Sequence, residues 1–420
     1  MNAKYGIDRG DSGFYQTLFP NGFLRHECRA PGRTDVGGPM WAAEFGRAAV
    51  GFFSLLLLVG CFDANAAPPG VTLNIGRSNG VFVSWSAAPG STYSIQSKTN
   101  LSDPWVDAND VPNGLDATNN SLGRGFSAAA SPMRFFRVLL NPAGMARIPA
   151  GEFLMGDSSG DGIFGAPVRT IYVSPFYVDR TPVPHALWQQ VLGWATNNGY
   201  SFKSFGAAQA TNHPVVKVAW YDCVKWCNAR SEFEGMTPAY YTDAAHRTVY
   251  RAGEIDLTVD MVDWSAGYRL PTEAEWEKAA RGGLAGKRFP WGNTISHGQA
   301  NYFALPSLSY DITGYLGWHP IWSVQSRVSL TNPIDAFPSN GYGLRDMAGN
   351  VSNWCWDFPK FATGYEKDPK GNLDNIGSRA IRGGNWFDAA EVGRCAFRSS
   401  EAPGVAIKTT LGLRTVLPAK

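Results

Sequence analysis

Glycine and tryptophan are both abundant here, at 47 and 15 of the chain's 420 residues. Glycine opens backbone conformations that regular helices and strands do not use. Tryptophan supplies large apolar anchors. A chain rich in both is expected to fold into irregular loops pinned by aromatic side chains, with few long regular elements. At roughly 150 residues per domain, its length suggests two or three domains. Hydrophobic residues make up 44% and charged residues 17%, which excludes a disordered polar chain. The net charge of +2 is too balanced for a nucleic-acid-binding surface. Collagen, coiled-coil and multi-span membrane architectures are excluded as well.

One apolar run stands out, from Ala48 to Cys61, with Arg47 before it and Asp63, Asn65 and Pro68-Pro69 after it. A spanning helix needs about 20 apolar residues, and this run is shorter. A basic flank, a short apolar core and small residues beyond it are the layout of a secretory signal. Ala64-Asn65-Ala66 offers a cleavage site, while Leu58-Val59-Gly60-Cys61 resembles a bacterial lipobox that would make Cys61 a lipidated N-terminus. Residues 40–66 therefore read as a signal peptide or lipoprotein signal. Residues 1–39 read as a non-native or disordered upstream extension, with translation expected to begin at Met40. Export is expected to the periplasm, to the outer membrane as a lipoprotein, or to the extracellular space. Membrane contact is expected only through the signal segment or a lipid anchor. In an oxidising compartment thiols tend to pair. Cys223, Cys227, Cys355 and Cys395 then remain as structural cysteines, with three connectivities open. Cys223 and Cys227 lie one helical turn apart, but no His or Cys pair with zinc spacing accompanies them.

Residues 68–142 read as a small all-β sandwich module. Segments 81–85 and 93–97 carry β-branched and aromatic residues and are predicted as a hairpin joined across 87–92. Residues 134–139 are predicted as its last strand. The segment resembles the fibronectin-III-sized modules appended to many exported bacterial proteins. It contains no His and no Cys, so a spacer or weak binding role is expected. Beyond Met145 the texture changes to short helices and Gly-containing loops. Residues 214–219 read as a strand leading into a helix at 220–228, with Trp220, Val224 and Cys227 on one face. Thr272-Glu273-Ala274-Glu275 is a capping box after Pro271, and Gly282-Gly283 stop that helix.

Several motifs then follow in order: Ile148-Pro149-Ala150-Gly151-Glu152-Phe153, His213-Pro214-Val215-Val216, Arg269-Leu270-Pro271-Thr272-Glu273-Ala274-Glu275-Trp276, Phe289-Pro290-Trp291-Gly292, Asn340-Gly341-Tyr342-Gly343-Leu344 and Arg382-Gly383-Gly384-Asn385-Trp386, closing with Leu411-Gly412-Leu413-Arg414. This set, over 145–418, resembles the formylglycine-generating enzyme (sulfatase-modifying factor) family. The resemblance implies an α+β fold, a variant of the C-type lectin-like architecture, with few regular elements and bound calcium. It also implies, in active members, oxidation of a sulfatase cysteine to formylglycine by molecular oxygen and a Cu(I) ion held by two thiolates. Soft thiolates select Cu(I). In this sequence Asp388 stands at the first of those cysteine positions. The second falls within Ala389-Ala390-Glu391, which has no thiol. Asn385 replaces the serine usual after Gly-Gly. Cys395 matches a structural cysteine whose usual partner position is Ala280, and Cys227 one whose partner position is Thr415. A carboxylate is a hard ligand, so copper is not expected. The ergothioneine-type sulfoxide synthases of the superfamily bind iron through histidines of an attached helical domain. No such domain is expected here, and His185, His213, His246, His297 and His319 show no paired ligand spacing.

The resemblance further implies a calcium site from Asp346, the Gly349 and Val351 carbonyls and Asn353, the hard oxygens that Ca²⁺ takes. Asn353 stands where the family commonly has Glu, which removes a negative charge. A second set comprises Asn301, the Tyr302 carbonyl and Asp311. The alternative is that Asp346 and Asn350 merely cap turns. Trp276, Trp291, Trp354, Trp356 and Trp386 could line a groove, but core anchoring is expected. Asp388 and Glu391 could form an acid–base pair, although solvated surface acids are commoner. Arg398 and Arg414 are expected to find partners inside the fold. The reading that results is an exported, non-catalytic, calcium-stabilised binding or accessory module for a peptide, protein or glycan. The alternative is a protein-modifying oxidase acting on sulfatase cysteines, or a related non-heme metal enzyme; a structural envelope protein is a third reading.

Overall fold

The computed structural model describes residues 71–419, apart from 76–79, 88–90, 101, 104, 108–114, 119–120, 128–134, 158–166, 323–329, 359–363 and 372–376. Upstream it describes only the backbone of four two-residue strands, Thr17–Leu18, Leu24–Arg25, Glu44–Phe45 and Leu56–Leu57. The rest of the extension 1–39, the rest of the export segment 40–66, and Cys61 lie outside the described residues. The chain divides into two compact units, Met1–Ala143 and Gly144–Lys420.

In the first unit, Gly80–Ser86 pairs antiparallel with Val71–Ile75 and Ser121–Ser127. A second sheet centres on Thr92–Lys98, which pairs antiparallel with Phe135–Leu140, Val106–Asp107 and Leu115–Asp116. Segments 81–85 and 93–97 are strands, but they are not a hairpin: they belong to different sheets. The reason is burial. Val83 and Trp85 from one strand meet Tyr93 and Ile95 from the other, with Phe136 and Val138, in a single core. Facing these rows across a sandwich buries them all, whereas edge-to-edge pairing would set them side by side on one exposed face.

The second unit's two ends meet in one sheet, where Phe176–Asp179 lies between Met145–Ile148 and Val416–Pro418. Gly151–Met155 pairs with Arg169–Val173, to which Glu366–Lys367 adds in parallel. A third sheet runs in the order Ser399–Glu401, Arg379–Arg382, Ser352–Trp354, Leu411–Gly412. Three helices pack with these sheets: α1 (His185–Thr196), α2 (Trp220–Phe233) and α3 (Glu273–Arg281). The arrangement is the α+β fold expected, with short elements and long loops.

Residues 214–219 are not a strand. Isolated bridges, Pro184 to Pro214 and Ala207 to Val216, and single bonds such as the Lys217 amide to the Lys408 carbonyl at 3.0 Å hold them, and Lys217 adopts φ +59. Helix α2 is longer than predicted and is buried from Trp220 to Ser231, not on one face alone. Its polar residues are satisfied inside the core. Asp222 pairs with Lys225 at 3.0 Å, Arg230 with Asp179 at 2.9 Å, and the Asn228 amide donates to the Tyr240 and Tyr250 carbonyls. Helix α3 starts as predicted. The Thr272 hydroxyl accepts from the Glu275 amide at 3.2 Å and the Glu275 carboxylate accepts from the Thr272 amide at 2.8 Å. Gly282 ends it in the left-handed region at φ +57, where a Cβ would sit 2.8 Å from the Gly341 nitrogen.

Cys223, Cys227, Cys355 and Cys395 are buried free thiols. The expected pairing is therefore not formed. Position 280, in the same core cluster as Cys395, holds alanine, and Thr415 is engaged with Asp179 and Arg230. Trp276, Trp354 and Trp356 are core anchors as expected, whereas Trp291 and Trp386 are only partly buried.

Candidate ligand pocket

The Gly383-Gly384 turn, directly after the strand Arg379–Arg382, shapes a cavity of about 300 Å³. Gly383 adopts φ +95, and a Cβ there would lie 2.9 Å from the Trp276 ring, so this backbone can approach α3 only as glycine. Arg382 fixes the wall from inside. It is fully buried and donates to Glu277 at 2.6 Å, to the Cys395 carbonyl at 3.1 Å and to the Phe397 carbonyl at 2.5 Å.

Beyond the turn, Asn385, Phe387 and Asp388 line the cavity, with Ser352, Glu401 and Lys408 from neighbouring strands and loops. The Asn385 amide donates to Asp388 Oδ2 at 2.5 Å and to Ser352 Oγ at 3.2 Å. Burial pushes the Asp388 carboxyl up to about 6, against the opposing pull of the Asn385 hydrogen bond and the Lys408 charge. Lys408 pairs with Glu401. The Asp388 carbonyl accepts from the Phe303 amide at 2.9 Å, which ties the turn to a neighbouring aromatic patch. There Phe303 meets Trp318 at 5.2 Å, and Trp318 meets Phe387 at 6.4 Å. Trp318 is 43% and Phe387 59% exposed, so both rings offer surface to a ligand.

The cavity's described lining contains no cysteine and no histidine. Glu391 does not line it, so the suggested Asp388–Glu391 pair is not assembled there. Its second carboxylate is Glu401, placed by antiparallel pairing opposite Arg379. Sequence spacing missed Glu401 and Lys408 because non-local contacts bring them in: Glu401 through that pairing, Lys408 through its carbonyl's bond to the Lys217 amide and its ion pair with Glu401.

The first calcium candidate lies in the loop entering the strand Ser352–Trp354. Asp346 accepts from the Asn350 amide at 3.1 Å and the Asn332 amide at 3.4 Å, and burial pushes it up to about 6. Beside it, Asn332 Oδ1 is buried without a hydrogen-bond partner. A hard oxygen set with an orphaned acceptor fits Ca²⁺. Asn353 is turned to the Trp276 indole, whose N–H donates to its Oδ1 at 3.1 Å, while its amide donates to the Val351 carbonyl at 3.4 Å. Asp346 and Asn350 also stand at φ +51 and +60, as turn-capping residues do. The Asp311 and Tyr302 oxygens of the second set are engaged in protein hydrogen bonds. Asp311 already accepts from the Tyr302 hydroxyl at 2.6 Å and the Leu305 amide at 2.7 Å. The Tyr302 carbonyl accepts from His297 Nε2 at 2.9 Å, and Asn301 Nδ2 donates to the Leu330 carbonyl at 2.7 Å, a bond that does not involve Oδ1, the atom that would meet a cation. Among the described residues no three His, Cys, Asp or Glu side chains converge.

One feature gave no signal in the sequence spacing: the His297 and His319 rings lie 4.8 Å apart. His297 Nε2 bonds the Tyr302 carbonyl at 2.9 Å and His319 Nε2 the His297 carbonyl at 2.9 Å, so both nitrogens carry the proton. Their Nδ1 atoms meet the Tyr315 hydroxyl at 2.7 Å and the Ile321 amide at 3.3 Å. Burial holds both rings below the ordinary histidine value. Arg398 pairs with Glu273, and Arg414 donates to the Asp179 and Arg345 carbonyls at 2.6 Å.

The family model for the sulfatase-modifying factor enzyme 1-like domain matches residues 135–419. A formylglycine-generating enzyme of Thermomonospora curvata is 33% identical over 263 residues, covering 58% of this chain and 82% of that protein. The inactive C-alpha-formylglycine-generating enzyme 2 of Mus musculus is 29% identical, covering 59% of this chain and 75% of that one. Among solved structures, Treponema denticola variable protein 1 is 27% identical with a TM-score of 0.50, covering 66% of this chain and 95% of its own. With the family's domain matched over most of the second unit and the α+β fold in place, this chain belongs to the sulfatase-modifying factor family.

Proposed function

We propose that this protein is an exported, non-catalytic binding or accessory member of its family, stabilised by calcium and without formylglycine-generating activity. The observation that carries the reading is the cavity beside Gly383-Gly384. Its described lining has Asp388 and no cysteine, so it offers hard oxygen where Cu(I) needs paired thiolates. The four described thiols lie elsewhere, fully buried, and burial raises them; that of Cys395 stands at about 12. A mouse relative named as inactive supports the idea that this fold persists without the reaction. Calcium, when bound at the first candidate site, would cross-link the loop through the Asp346 carboxylate, with the Gly349 and Val351 carbonyls as further oxygen donors. Export rests on the signal layout of residues 40–66; among the described residues no helix is long and apolar enough to cross a membrane.

The test is direct. The purified chain is loaded with Cu(I) and incubated under oxygen with a peptide bearing a sulfatase cysteine motif, and the peptide is weighed by mass spectrometry. No aldehyde above the protein-free control is expected. Aldehyde formed at enzymic turnover would establish the protein-modifying oxidase instead.

A further inference from the structure

The thiol-free cavity is still a built site, and its charge is unbalanced. Asp388, Glu401 and Lys408 are the charged groups of its lining, the last two contributed by the strand Ser399–Glu401 and the segment after it. Lys408 is committed to Glu401. That leaves Asp388, whose hydrogen-bond partner is the neutral Asn385 amide. A half-buried carboxylate whose neighbouring cation, Lys408, is already paired with Glu401 is costly. Next to it the Phe387 ring lines the same cavity and is more than half exposed. An aromatic ring beside a carboxylate whose neighbouring cation is shared with Glu401 attracts a further cation through both its quadrupole and the neighbouring charge. The Ser352, Ser399 and Thr410 side chains, also in the lining, add neutral acceptors for N–H donors. At about 300 Å³ the cavity is at the small end of ligand pockets, sized for one side-chain-like group.

We propose that this cavity binds an organic cation, an alkylammonium or alkylguanidinium, held by the Asp388 carboxylate and the exposed ring of Phe387. The proposal deepens the non-catalytic reading and rests on it. A cation would also oppose the burial that raises Asp388, so binding expels a proton and weakens as pH falls through about 6. The cation could be a lysine or arginine side chain of a peptide, or a free amine.

Isothermal titration of the full chain separates these possibilities with three probes: an acetylated, amidated Gly-Lys-Gly peptide, its norleucine counterpart, and 1,5-diaminopentane. The lysine peptide is expected to bind about tenfold or more tighter than the norleucine peptide. Asp388→Asn is expected to weaken it about tenfold. Lys408→Met, which leaves Glu401 unpaired, should tighten it, an effect that misfolding could not mimic. Preference for the lysine peptide over the diamine assigns a peptide source, and the reverse assigns a free amine. Equal binding of norleucine and lysine, or no titratable binding of either cation, overturns the proposal; so does unchanged affinity in both variants. The aldehyde assay reads the non-catalytic assignment separately: absent binding with absent aldehyde removes only the cation site.

Discussion

Replacing Glu277 by glutamine should destabilise the second unit severely, because Glu277 is the anion that two buried guanidiniums share. Its Oε1 accepts from Arg281 Nη2 at 2.6 Å and Nε at 3.0 Å and from the Gly156 amide at 2.8 Å; its Oε2 accepts from Arg382 at 2.6 Å. The side chains of Glu277, Arg281 and Arg382 are 1%, 5% and 0% exposed, so water cannot take over. Among the described residues the other carboxylate beside Arg382 is Glu273, at 3.7 Å, and Glu273 already pairs with Arg398. Removing one charge thus leaves three buried cations with one anion. Breaking a buried pair in this way costs about 3–5 kcal/mol. At roughly 2–4 °C per kcal/mol for a unit of this size, the midpoint should fall by roughly 6–20 °C. Thermal unfolding followed by near-ultraviolet circular dichroism measures it. Lys203→Ala serves as the control: that lysine is 70% exposed, and its bond to Glu254 should be worth under about 1 kcal/mol. A fall of no more than about 2 °C in the Glu277 variant would refute the reasoning. It would mean that carbonyls alone carry the guanidiniums, those of Gly156 and Lys287 at Arg281 and those of Cys395 and Phe397 at Arg382.

Two further outcomes follow from the same geometry. His297 and His319 are held below the ordinary value by burial, so in the folded chain they stay neutral while the unfolded chain takes up protons. Their contribution is present above about pH 6.5 and is lost as pH falls below it. His319→Gln, which keeps an N–H donor for the His297 carbonyl, should flatten the decline in urea stability between pH 7 and pH 5; an unchanged slope would count against the pair. Calcium at about a hundredfold excess over its Kd should stabilise the chain by about 2.7 kcal/mol and EDTA should reverse it. Asp346→Asn should lose most of that response, and a melting temperature indifferent to both calcium and EDTA would remove the site.

What could be read from the sequence was the local and the categorical. The capping box of α3 was legible because Thr272 and Glu275 satisfy each other within one turn. The missing thiols were legible because no folding can supply a sulfur at Asp388. The extent of α2 was not, since burial on every side erases the amphipathic pattern that marks a helix. Nor was the placing of the 81–85 and 93–97 strands in different sheets, which a shared core decides. Glu401 enters the pocket through a strand pairing with Arg379, and His297 meets His319 across a loop. Both contacts are non-local, and spacing along the chain carries no trace of them.

Titrating the full chain with Cu(I) held by a chromophoric chelator tests the central claim most directly. The account predicts that the chelator keeps its metal in the presence of the folded protein, and that Asp388→Asn changes nothing. One Cu(I) withdrawn per chain, and lost in the Asp388 variant, would contradict it.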